Sequence, residues 1–299
     1  GQGIYEITAD TKENAQKNSI DNTEFFCGAA EDVVPTIVTT EAELTEAISN
    51  GGYIQLGNDI NLTTKVDACY KRKENKSGEW KLNPKMPKSL VIERKGTKFH
   101  IEPMSFKHIC LFPEQAANWD YMKNLIKSSK REIKVLNLFA YTGGASVECA
   151  LAGAKVTHVD AAKSMIDIAK KNAELNGVDN IRYILDDCIK FVEREIRRGN
   201  KYDAIIMDPP SFGRGPKGET WKIEENIFDF VKLCGQVLSD NPLFVLINSY
   251  TTGLQPTVMS NILNVTISGG KTECYEVGLP TEEDGVVLPC GCSAIKVFG

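Results

Sequence analysis

The sequence predicts an α/β protein with a mostly parallel sheet covered by helices on both faces, preceded by a small irregular α+β appendage. Two observations support this prediction. From residue 134 to the end, apolar runs of strand length alternate with amphipathic stretches of helix length. Most of the apolar runs stop at glycine, aspartate or proline, which close strands and begin turns. This alternation implies right-handed crossovers between parallel strands.

The elements follow from the same pattern. Five strands are predicted, at 135–139, 155–159, 181–185, 202–207 and 243–248, and two weaker ones lie near 273–277 and 294–298. Helices are predicted between them, at 144–153, 164–176, 189–198 and 224–239. Ahead of the sheet we expect a hairpin of strands 89–94 and 97–101, and then a helix at 114–127.

Charge and composition divide the chain of 299 residues into four parts. Residues 1–64 carry 2 basic and 11 acidic side chains, whereas residues 65–134 carry 17 basic and 8 acidic ones. The basic segment is either a solvated lysine-rich face or an attraction site for a phosphate-rich partner. We expect a fragment at 1–34, a small segment of unassigned role at 35–66, a basic module at 67–133 and the main domain at 134–299. Within the second part, we expect a helix at 40–49 and a strand pair at 51–62.

Several classes of protein are not expected. The chain has no run of about 18 apolar residues, so no membrane span is predicted. The sequence shows no basic N-terminal segment followed by an apolar core, so we expect no signal peptide and a cytoplasmic location. The nine cysteines lack paired spacing, except for Cys290 and Cys292, and only three histidines are present. This favours reduced thiols over a zinc site or disulfides, and no metal is predicted.

A glycine-containing loop follows the first predicted strand of the main domain, in the run Val135-Leu136-Asn137-Leu138-Phe139-Ala140-Tyr141-Thr142-Gly143-Gly144-Ala145. Gly143 and Gly144 carry no side chains, so a ligand can approach the backbone there. The next helix starts at this point with free amide groups and the positive end of its dipole. Such a loop fits an anionic ligand, such as a carboxylate, although a tight turn alone explains it equally well.

Acidic residues end the next two strands. Asp160 lies sixteen residues after Gly144, where a carboxylate can accept hydrogen bonds from both hydroxyls of a ribose. Of Asp186 and Asp187, which follow the third strand, Asp187 is the better candidate to meet an adenine amino group. Asp187 also suits the cap of the following helix, and the two roles are compatible.

The sequence Asp208-Pro209-Pro210-Ser211-Phe212 follows the fourth strand. Two prolines restrict the backbone and push the preceding residue away from helical conformation. The Asp208 carboxylate can then face a reacting group, and the Phe212 ring can stack on a flat base. A structural turn after a strand is the competing interpretation.

With these motifs, residues 106–108 and 111–115 complete a resemblance that extends from about residue 80 to the end. This part of the chain resembles the class I S-adenosylmethionine (SAM)-dependent methyltransferase family that includes ribosomal large-subunit RNA cytosine and guanine methyltransferases. The resemblance implies a Rossmann-like sheet of seven strands whose last strand runs antiparallel. It also implies SAM as cofactor and a segment at 112–115 that folds over the SAM site.

The resemblance and the motifs together define the candidate site residues. The candidates for SAM binding are Asn137, Phe139, Ala140, Tyr141, Thr142, Gly143, Gly144, Asp160, Ala161, Asp187 and Asp208. Those for catalysis are Asp208, Pro209, Pro210 and Phe212. Those for substrate binding are Lys107, His108, Phe112, Gln115 and Phe212.

The chain departs from the family pattern in two places. Cytosine-5 enzymes need a cysteine nucleophile, commonly just after the fifth strand, where this chain has Asn248-Ser249-Tyr250. Cys290 and Cys292 come later, in a predicted loop before the last strand, from which they would have to swing into the site. Methylation of a nitrogen is therefore favoured over methylation of C5.

The other departure is at the N-terminus, where many relatives carry a β-barrel RNA-binding domain that residues 1–65 do not resemble. Residues 14–22 echo residues 172–180, so residues 1–34 resemble a shortened fragment of an RNA uracil-5-methyltransferase.

We therefore expect a SAM-dependent methyltransferase that acts on a base in RNA, with ribosomal RNA as the expected partner. A noncatalytic RNA-binding protein or a broken fusion is the alternative. A nicotinamide-dependent oxidoreductase would carry a complete G-x-G-x-x-G loop and would have no need of Asp-Pro-Pro-Ser-Phe.

Overall fold

The computed structural model describes residues 36–38, 54–56, 68–72, 78–82, 89–104, 108–214, 220–280 and 286–299. Contacts divide these residues into two compact units. The larger unit comprises residues 89–102 and the described residues from 108 to 299, and the smaller one holds the strands between residues 36 and 82.

The smaller unit contains two pairs of short strands. Strands β1 (Thr36–Val38) and β2 (Ile54–Leu56) pair in parallel. Strands β3 (Ala68–Arg72) and β4 (Gly78–Leu82) form an antiparallel hairpin that the sequence analysis did not predict. Of the strand pair predicted at 51–62, the structure describes only β2, which pairs with β1. The rest of that pair, the helix predicted at 40–49 and the fragment at 1–34 lie outside the described residues.

The larger unit begins with the predicted hairpin and helix and continues with the predicted alternation of strands and helices. Its strands are β5 (Leu90–Arg94), β6 (Thr97–Ile101), β7 (Lys134–Leu138), β8 (Lys155–Asp160), β9 (Ile181–Leu185), β10 (Ala204–Met207), β11 (Phe212–Arg214), β12 (Thr220–Lys222), β13 (Phe244–Ser249), β14 (Lys271–Pro280) and β15 (Val287–Val297). A 3₁₀ turn at Pro113–Gln115 precedes the helices α1 (Ala116–Ser129), α2 (Gly144–Leu151), α3 (Lys163–Leu175), α4 (Cys188–Arg198), α5 (Ile223–Gly235) and α6 (Pro256–Thr266).

Seven of these strands form one sheet in the order β14-β15-β13-β10-β7-β8-β9. Neighbours among β13, β10, β7, β8 and β9 run parallel, and β15 runs antiparallel to both β13 and β14. This confirms the predicted seven-stranded sheet with an antiparallel last strand.

Side chains of the central strands alternate between two buried clusters, one on each face of the sheet. On β10, Ile205 and Met207 join the cluster formed with α4, α5 and α6, whereas Ala204 and Ile206 join the cluster formed with α1, α2 and the β5–β6 hairpin. Because both faces are covered, these strands are continuous apolar runs.

The order of the strands places a crevice at one edge of the sheet. Chain connections leave β7 toward β8 on one side and return through β10 on the other. Ligands of open α/β sheets bind outside the carboxyl ends of the strands at such a switch point.

The structure corrects one prediction and adds three elements. Cys290 and Cys292 lie within β15, not in a loop before it. Pairing of β14 with β15 continues to Val287, whereas pairing of β15 with β13 stops at Cys292, so this hairpin projects past the carboxyl end of β13. Helix α6 and the β11–β12 hairpin were not predicted. Among the described helices, none has both the length and the apolarity that crossing a bilayer requires.

Candidate active site

A cavity lies at the carboxyl ends of β7, β10 and β13, and half of the predicted site residues line it. Seven candidates for SAM binding and two for substrate binding are among its lining residues: Asn137, Phe139, Ala140, Tyr141, Thr142, Gly144, Asp208, Phe112 and Gln115. The remaining described candidates, which are His108, Gly143, Asp160, Ala161, Asp187, Pro209, Pro210 and Phe212, are not among the lining residues. Lys107 lies outside the described residues.

The loop after β7 is strained. Phe139 and Tyr141 have φ angles of 54° and 50°, in the left-handed region that side chains with a Cβ rarely adopt. Each such residue costs on the order of 1–3 kcal/mol, and such strain clusters at functional sites. The Asp160 carboxylate stabilises the turn because it accepts a hydrogen bond of 2.8 Å from the backbone amide of Tyr141.

The two glycines of this loop have packing roles as well as a conformational one. Gly143 has a φ of 82°, and a Cβ there would lie 2.9 Å from the Cβ of Ala169 on α3. A Cβ on Gly144 would lie 2.9 Å from the ring of Trp119 on α1. No side chain of the described residues caps α2, which leaves the first amides of that helix, at the cavity-lining Gly144 and Ala145, available to an anionic group.

A buried hydrogen-bonded chain orients Asn137 at the cavity. Asn137 Nδ2 donates to Ser146 Oγ at 2.9 Å, and Ser146 Oγ lies 3.0 Å from His158 Nδ1. Burial lowers the pKa of His158 to about 3, so the ring that bonds Ser146 is neutral. The bond to Ser146 uses one of the two donors of the Asn137 amide and fixes the orientation of the side chain, so its other donor and its carbonyl oxygen remain for a ligand.

Acidic side chains lie along the same edge of the sheet, at the ends of neighbouring strands. Asp160 accepts from the backbone amides of Tyr141 and Ala162, both at 2.8 Å, while burial raises the pKa of its carboxyl group. Asp187 caps α4, as predicted, because its Oδ1 accepts from the backbone amide of Lys190 at 3.0 Å. A carboxylate oxygen can accept more than one hydrogen bond, so both acids can still receive ligand donors.

Residues 108–115, which we call the strap, cross the glycine loop. The Thr142 hydroxyl donates to the backbone carbonyl of Cys110 at 2.6 Å and fastens the strap to the loop. The Phe112 ring lies between the rings of Tyr141 and Tyr250, with centroid distances of 5.3 and 5.7 Å, and His108 contacts it at 5.1 Å.

The Asp208-Pro209-Pro210 turn is fixed by side chains from two other segments. Trp221 Nε1 donates to the Pro210 carbonyl at 2.7 Å. The hydroxyl groups of Ser211 and Thr251 lie 2.6 Å apart. Phe212, the next residue, is 55% exposed at the start of β11. The turn therefore presents an exposed aromatic ring from a braced backbone.

Asp208 is the most perturbed acid of the site. Its Oδ1 atom is buried and receives no hydrogen bond from any described residue. Burial and the nearby charge of Glu114 raise the pKa of Asp208 to about 7, although a hydrogen bond from Asn248 opposes this. A buried carboxylate oxygen without a donor is rare in folded proteins and marks a candidate functional group.

A polar network that the sequence analysis missed surrounds Asp208. Asn248 Nδ2 donates to Gln115 Oε1 at 3.0 Å, and Gln115 Nε2 donates to the Tyr250 hydroxyl at 2.6 Å. The Tyr250 hydroxyl in turn bonds the carboxylate of Glu114, which is 5% exposed. Asn248 and Tyr250 were noted in the sequence only because no cysteine stands there, yet their position after the fifth strand was itself the signal.

The cysteines near the site are thiols and not thiolates. Burial and the Glu114 charge raise the pKa of Cys290 to about 11. Burial is also the main cause that raises the pKa of Cys292 to about 12, and its Sγ donates to the Leu254 carbonyl at 3.0 Å. Neither group is activated as a nucleophile.

The chain belongs to the S-adenosylmethionine-dependent methyltransferase family, whose pattern it matches over residues 70–242. It is 35% identical to a SAM-dependent methyltransferase from Agrobacterium tumefaciens of known crystal structure, with a TM-score of 0.72 and 77% of each chain covered. The cofactor of this family is SAM, and the acceptors and free amides described above fit its ribose, adenine and methionine carboxylate.

Two curated relatives are ribosomal RNA methyltransferases. The chain is 29% identical to ribosomal RNA large subunit methyltransferase K/L of Pseudoalteromonas translucida, over 60% of this chain and 25% of that protein. It is 30% identical to ribosomal RNA large subunit methyltransferase I of Aeromonas salmonicida, over 61% of this chain and 46% of that protein. The chain thus spans between a quarter and a half of these relatives.

Proposed function

We propose that this protein transfers a methyl group from SAM to a base in RNA, with ribosomal RNA in the cytoplasm as the substrate. The observation that carries the proposal is Asp208, which lines the cavity. Its buried Oδ1 receives no hydrogen bond from the described residues, and the exposed ring of Phe212 follows it in the chain. Two curated relatives that act on ribosomal RNA support the choice of substrate.

In this proposal the residues of the glycine loop and the acids hold the cofactor. Asp160 and Ala161 would meet the ribose, Asp187 the adenine, and the first amides of α2 the methionine carboxylate. The neighbouring positions Asn137, Phe139, Ala140, Tyr141, Thr142 and Gly143 shape the same surface. When bound, SAM supplies an electrophilic methyl group on a sulfonium centre.

The substrate side is formed by the strap and the Asp208 turn. Phe212 stacks on the target base, and Pro209 and Pro210 hold the backbone that orients Asp208. Within the strap, His108, Phe112 and Gln115 face the base from the opposite direction. Lys107, which lies outside the described residues, would add a positive charge for the phosphate backbone. The main contribution of the protein is alignment of two reactants and exclusion of water.

The target atom is a nitrogen in this proposal. Methylation at C5 of cytosine needs a thiolate that attacks the ring, and the described cysteines near the site are protonated and engaged with backbone carbonyls. A base amino group is a hydrogen-bond donor, which is the partner that Asp208 Oδ1 lacks.

The test is transfer of labelled methyl groups from SAM to total RNA, to protein and to small molecules, followed by mass spectrometry of the nucleosides. We expect label in RNA as an N-methylated base, and loss of at least 100-fold in Asp208→Asn, on the order of a missing transition-state contact. The exposed Asp167→Asn serves as the matched control and should retain activity. Label confined to protein or small molecules would contradict the proposal.

Isothermal titration separates the catalytic proposal from a noncatalytic RNA-binding protein. A methyltransferase binds SAM, whereas a broken site that only binds RNA gives no heat with SAM at millimolar concentration. RNA binding without SAM binding would replace the proposal with the noncatalytic alternative.

A further inference from the structure

The proposed reaction leaves one buried acid without a role. Glu114 lies in the 3₁₀ turn of the strap, is 5% exposed, and is not among the residues that the sequence assigns to the site. A buried carboxyl group is costly unless it is hydrogen-bonded or protonated. The neighbours of Glu114 explain why it is tolerated and what it does.

A continuous chain of hydrogen bonds connects Glu114 with Asp208. The Tyr250 hydroxyl donates to the Glu114 carboxylate and accepts from Gln115 Nε2 at 2.6 Å. Gln115 Oε1 accepts from Asn248 Nδ2 at 3.0 Å, and Asn248 also bonds Asp208. An amide nitrogen only donates and an ionised carboxylate only accepts, so these directions hold when Glu114 and Asp208 are both ionised.

The chain is held rigidly by buried groups behind it. Asn118 Nδ2 donates to the side-chain oxygens of Gln115 and Asn248 at 2.8 and 3.1 Å. Ser293 Oγ donates to Asn248 Oδ1 at 2.6 Å, and the Tyr275 hydroxyl donates to Asn118 Oδ1 at 2.6 Å. Gln115 and Asn248 therefore cannot rotate without breaking several bonds, so Glu114 and Asp208 stay at a fixed separation.

We propose that Glu114, held by Tyr250 at the far end of this chain, is a positioning residue that controls whether Asp208 presents a free acceptor oxygen to the target amino group. This inference rests on the proposed methylation of a base nitrogen. When that nitrogen donates its lone pair to the methyl carbon, the C–S bond breaks and its electrons remain on sulfur. The cationic nitrogen then loses a proton, which Asp208 accepts when it is ionised.

Burial raises the pKa of both acids in this region. The like charge of Glu114 adds to burial in raising the pKa of Asp208 to about 7, and burial raises the pKa of Glu114 itself. The other titratable groups that face Glu114 stay neutral, because burial raises the pKa of Tyr250 far above its usual range and that of Cys290 to about 11.

The first test needs no cofactor and no RNA. Urea unfolding of the wild type and of Asp208→Asn from pH 4 to 9 gives a stability difference that grows with pH and levels off at the folded-state pKa of Asp208. The same pair of measurements is made in a Glu114→Gln background. We expect the difference to level off near pH 7 with Glu114 present and at a lower pH without it.

The second test is the pH profile of methyl transfer to RNA under single-turnover conditions. The acid limb of the rate should move to lower pH in Glu114→Gln, because Asp208 ionises more readily once the negative charge is removed. Asp167→Asn, which removes an exposed charge, should leave the acid limb where it is. A purely structural role for Glu114 would lower the rate at every pH without moving the limb.

Tyr250→Phe provides an independent variant in case Glu114→Gln does not fold. It keeps the Glu114 carboxyl but removes its donor, so Glu114 is less ionised and the Asp208 titration should move in the same direction by a smaller amount. An unchanged titration of Asp208 in the foldable variants overturns the inference. If RNA receives no label, the proposed function fails, and the unfolding measurements still decide whether Glu114 controls Asp208.

Discussion

Asp208 shows how a functional group is kept at the expense of stability. Its pKa in the fold, about 7, lies above its ordinary value of 3.8, so the folded state binds the proton more tightly than the unfolded state does. Stability contributed by the protonated form is therefore present below pH 3.8 and is lost as the pH rises toward 7. The acid is retained because a neutral side chain could not accept a proton.

We predict that Asp208→Asn stabilises the protein at pH 8 while it abolishes methyl transfer. Asparagine mimics the protonated acid, and a shift from 3.8 to about 7 corresponds to on the order of 4 kcal/mol, or roughly 10 °C in Tm. Thermal unfolding measured at pH 8 and at pH 4 tests this, since the gain should disappear at pH 4. A variant that is less stable than the wild type at pH 8 would show that burial does not destabilise the ionised form of Asp208.

Ser146 carries a second prediction. Ser146→Ala removes the bridge between Asn137 and His158, so Asn137 loses the partner that fixes its orientation. We expect SAM affinity to fall about 5- to 20-fold, which corresponds to about 1–2 kcal/mol for a lost buried hydrogen bond. Isothermal titration measures this, with Ser129→Ala at the end of α1 as the control. Equal affinities for the two variants would count against the role of this chain of bonds.

Helix α3 and the β5–β6 hairpin are joined by two asparagines one helical turn apart. Asn172 is fully buried; its Oδ1 accepts from the His100 backbone amide at 2.7 Å, and its Nδ2 donates to the Thr142 carbonyl at 2.8 Å. Asn176 bonds both the amide and the carbonyl of Lys98 at the surface. Asn172 thus connects the helix, the hairpin and the glycine loop at one point.

We predict that Asn172→Ala destabilises the fold by about 2–4 kcal/mol, because it leaves the buried Thr142 carbonyl and the partly buried His100 amide without partners. Asn176→Ala should cost about 1 kcal/mol or less, since water replaces the lost bonds at the surface. Chemical denaturation measures the loss of stability in each variant. Equal losses would show that burial of Asn172 does not make its hydrogen bonds more costly to remove than those of Asn176.

The β14–β15 hairpin and the strap act together as a wall of the site. The hairpin projects past the end of β13 and contacts the 3₁₀ turn of the strap. This explains why Cys290 lies near Glu114 although the two are far apart in sequence. Neither relation follows from the local pattern of either segment.

The two compact units differ in what they contribute to the buried core and to the positive charge of the chain. Within the described residues, both buried clusters draw all their members from Ile92 onward. Residues 65–88 carry 8 basic and 3 acidic side chains, and their described members contribute nothing to those clusters. The cavity and this basic segment thus belong to different parts of the chain.

We predict that a shortened chain beginning at Ser89 still unfolds cooperatively and still binds SAM, but binds RNA more weakly. Removal of basic residues should also reduce the dependence of RNA affinity on salt, because fewer counterions are released. Fluorescence anisotropy with a ribosomal RNA fragment at several salt concentrations measures both effects. An unchanged salt slope would locate the RNA contacts elsewhere.

Much of the architecture could be predicted because the local pattern and the fold agree. The strand 204–207 is buried on both faces, so its apolar run is visible in the sequence without knowledge of its neighbours. Helix α6 was missed because its polar face and its single turn of buried residues, Met259 and Leu263, make a weak pattern. The β11–β12 hairpin was missed because each strand has only three residues.

The sequence alone determined the alternation of strands and helices, the glycine loop, the acids at strand ends and the Asp-Pro-Pro-Ser-Phe turn, because each depends on residues that are neighbours in the chain. Only the tertiary structure decided that Glu114, Gln115, Asn248 and Tyr250 form one network with Asp208. Those residues come from segments at least forty positions apart, and burial, which shifts the pKa of Asp208 and Glu114, exists only once the strap has packed against the sheet.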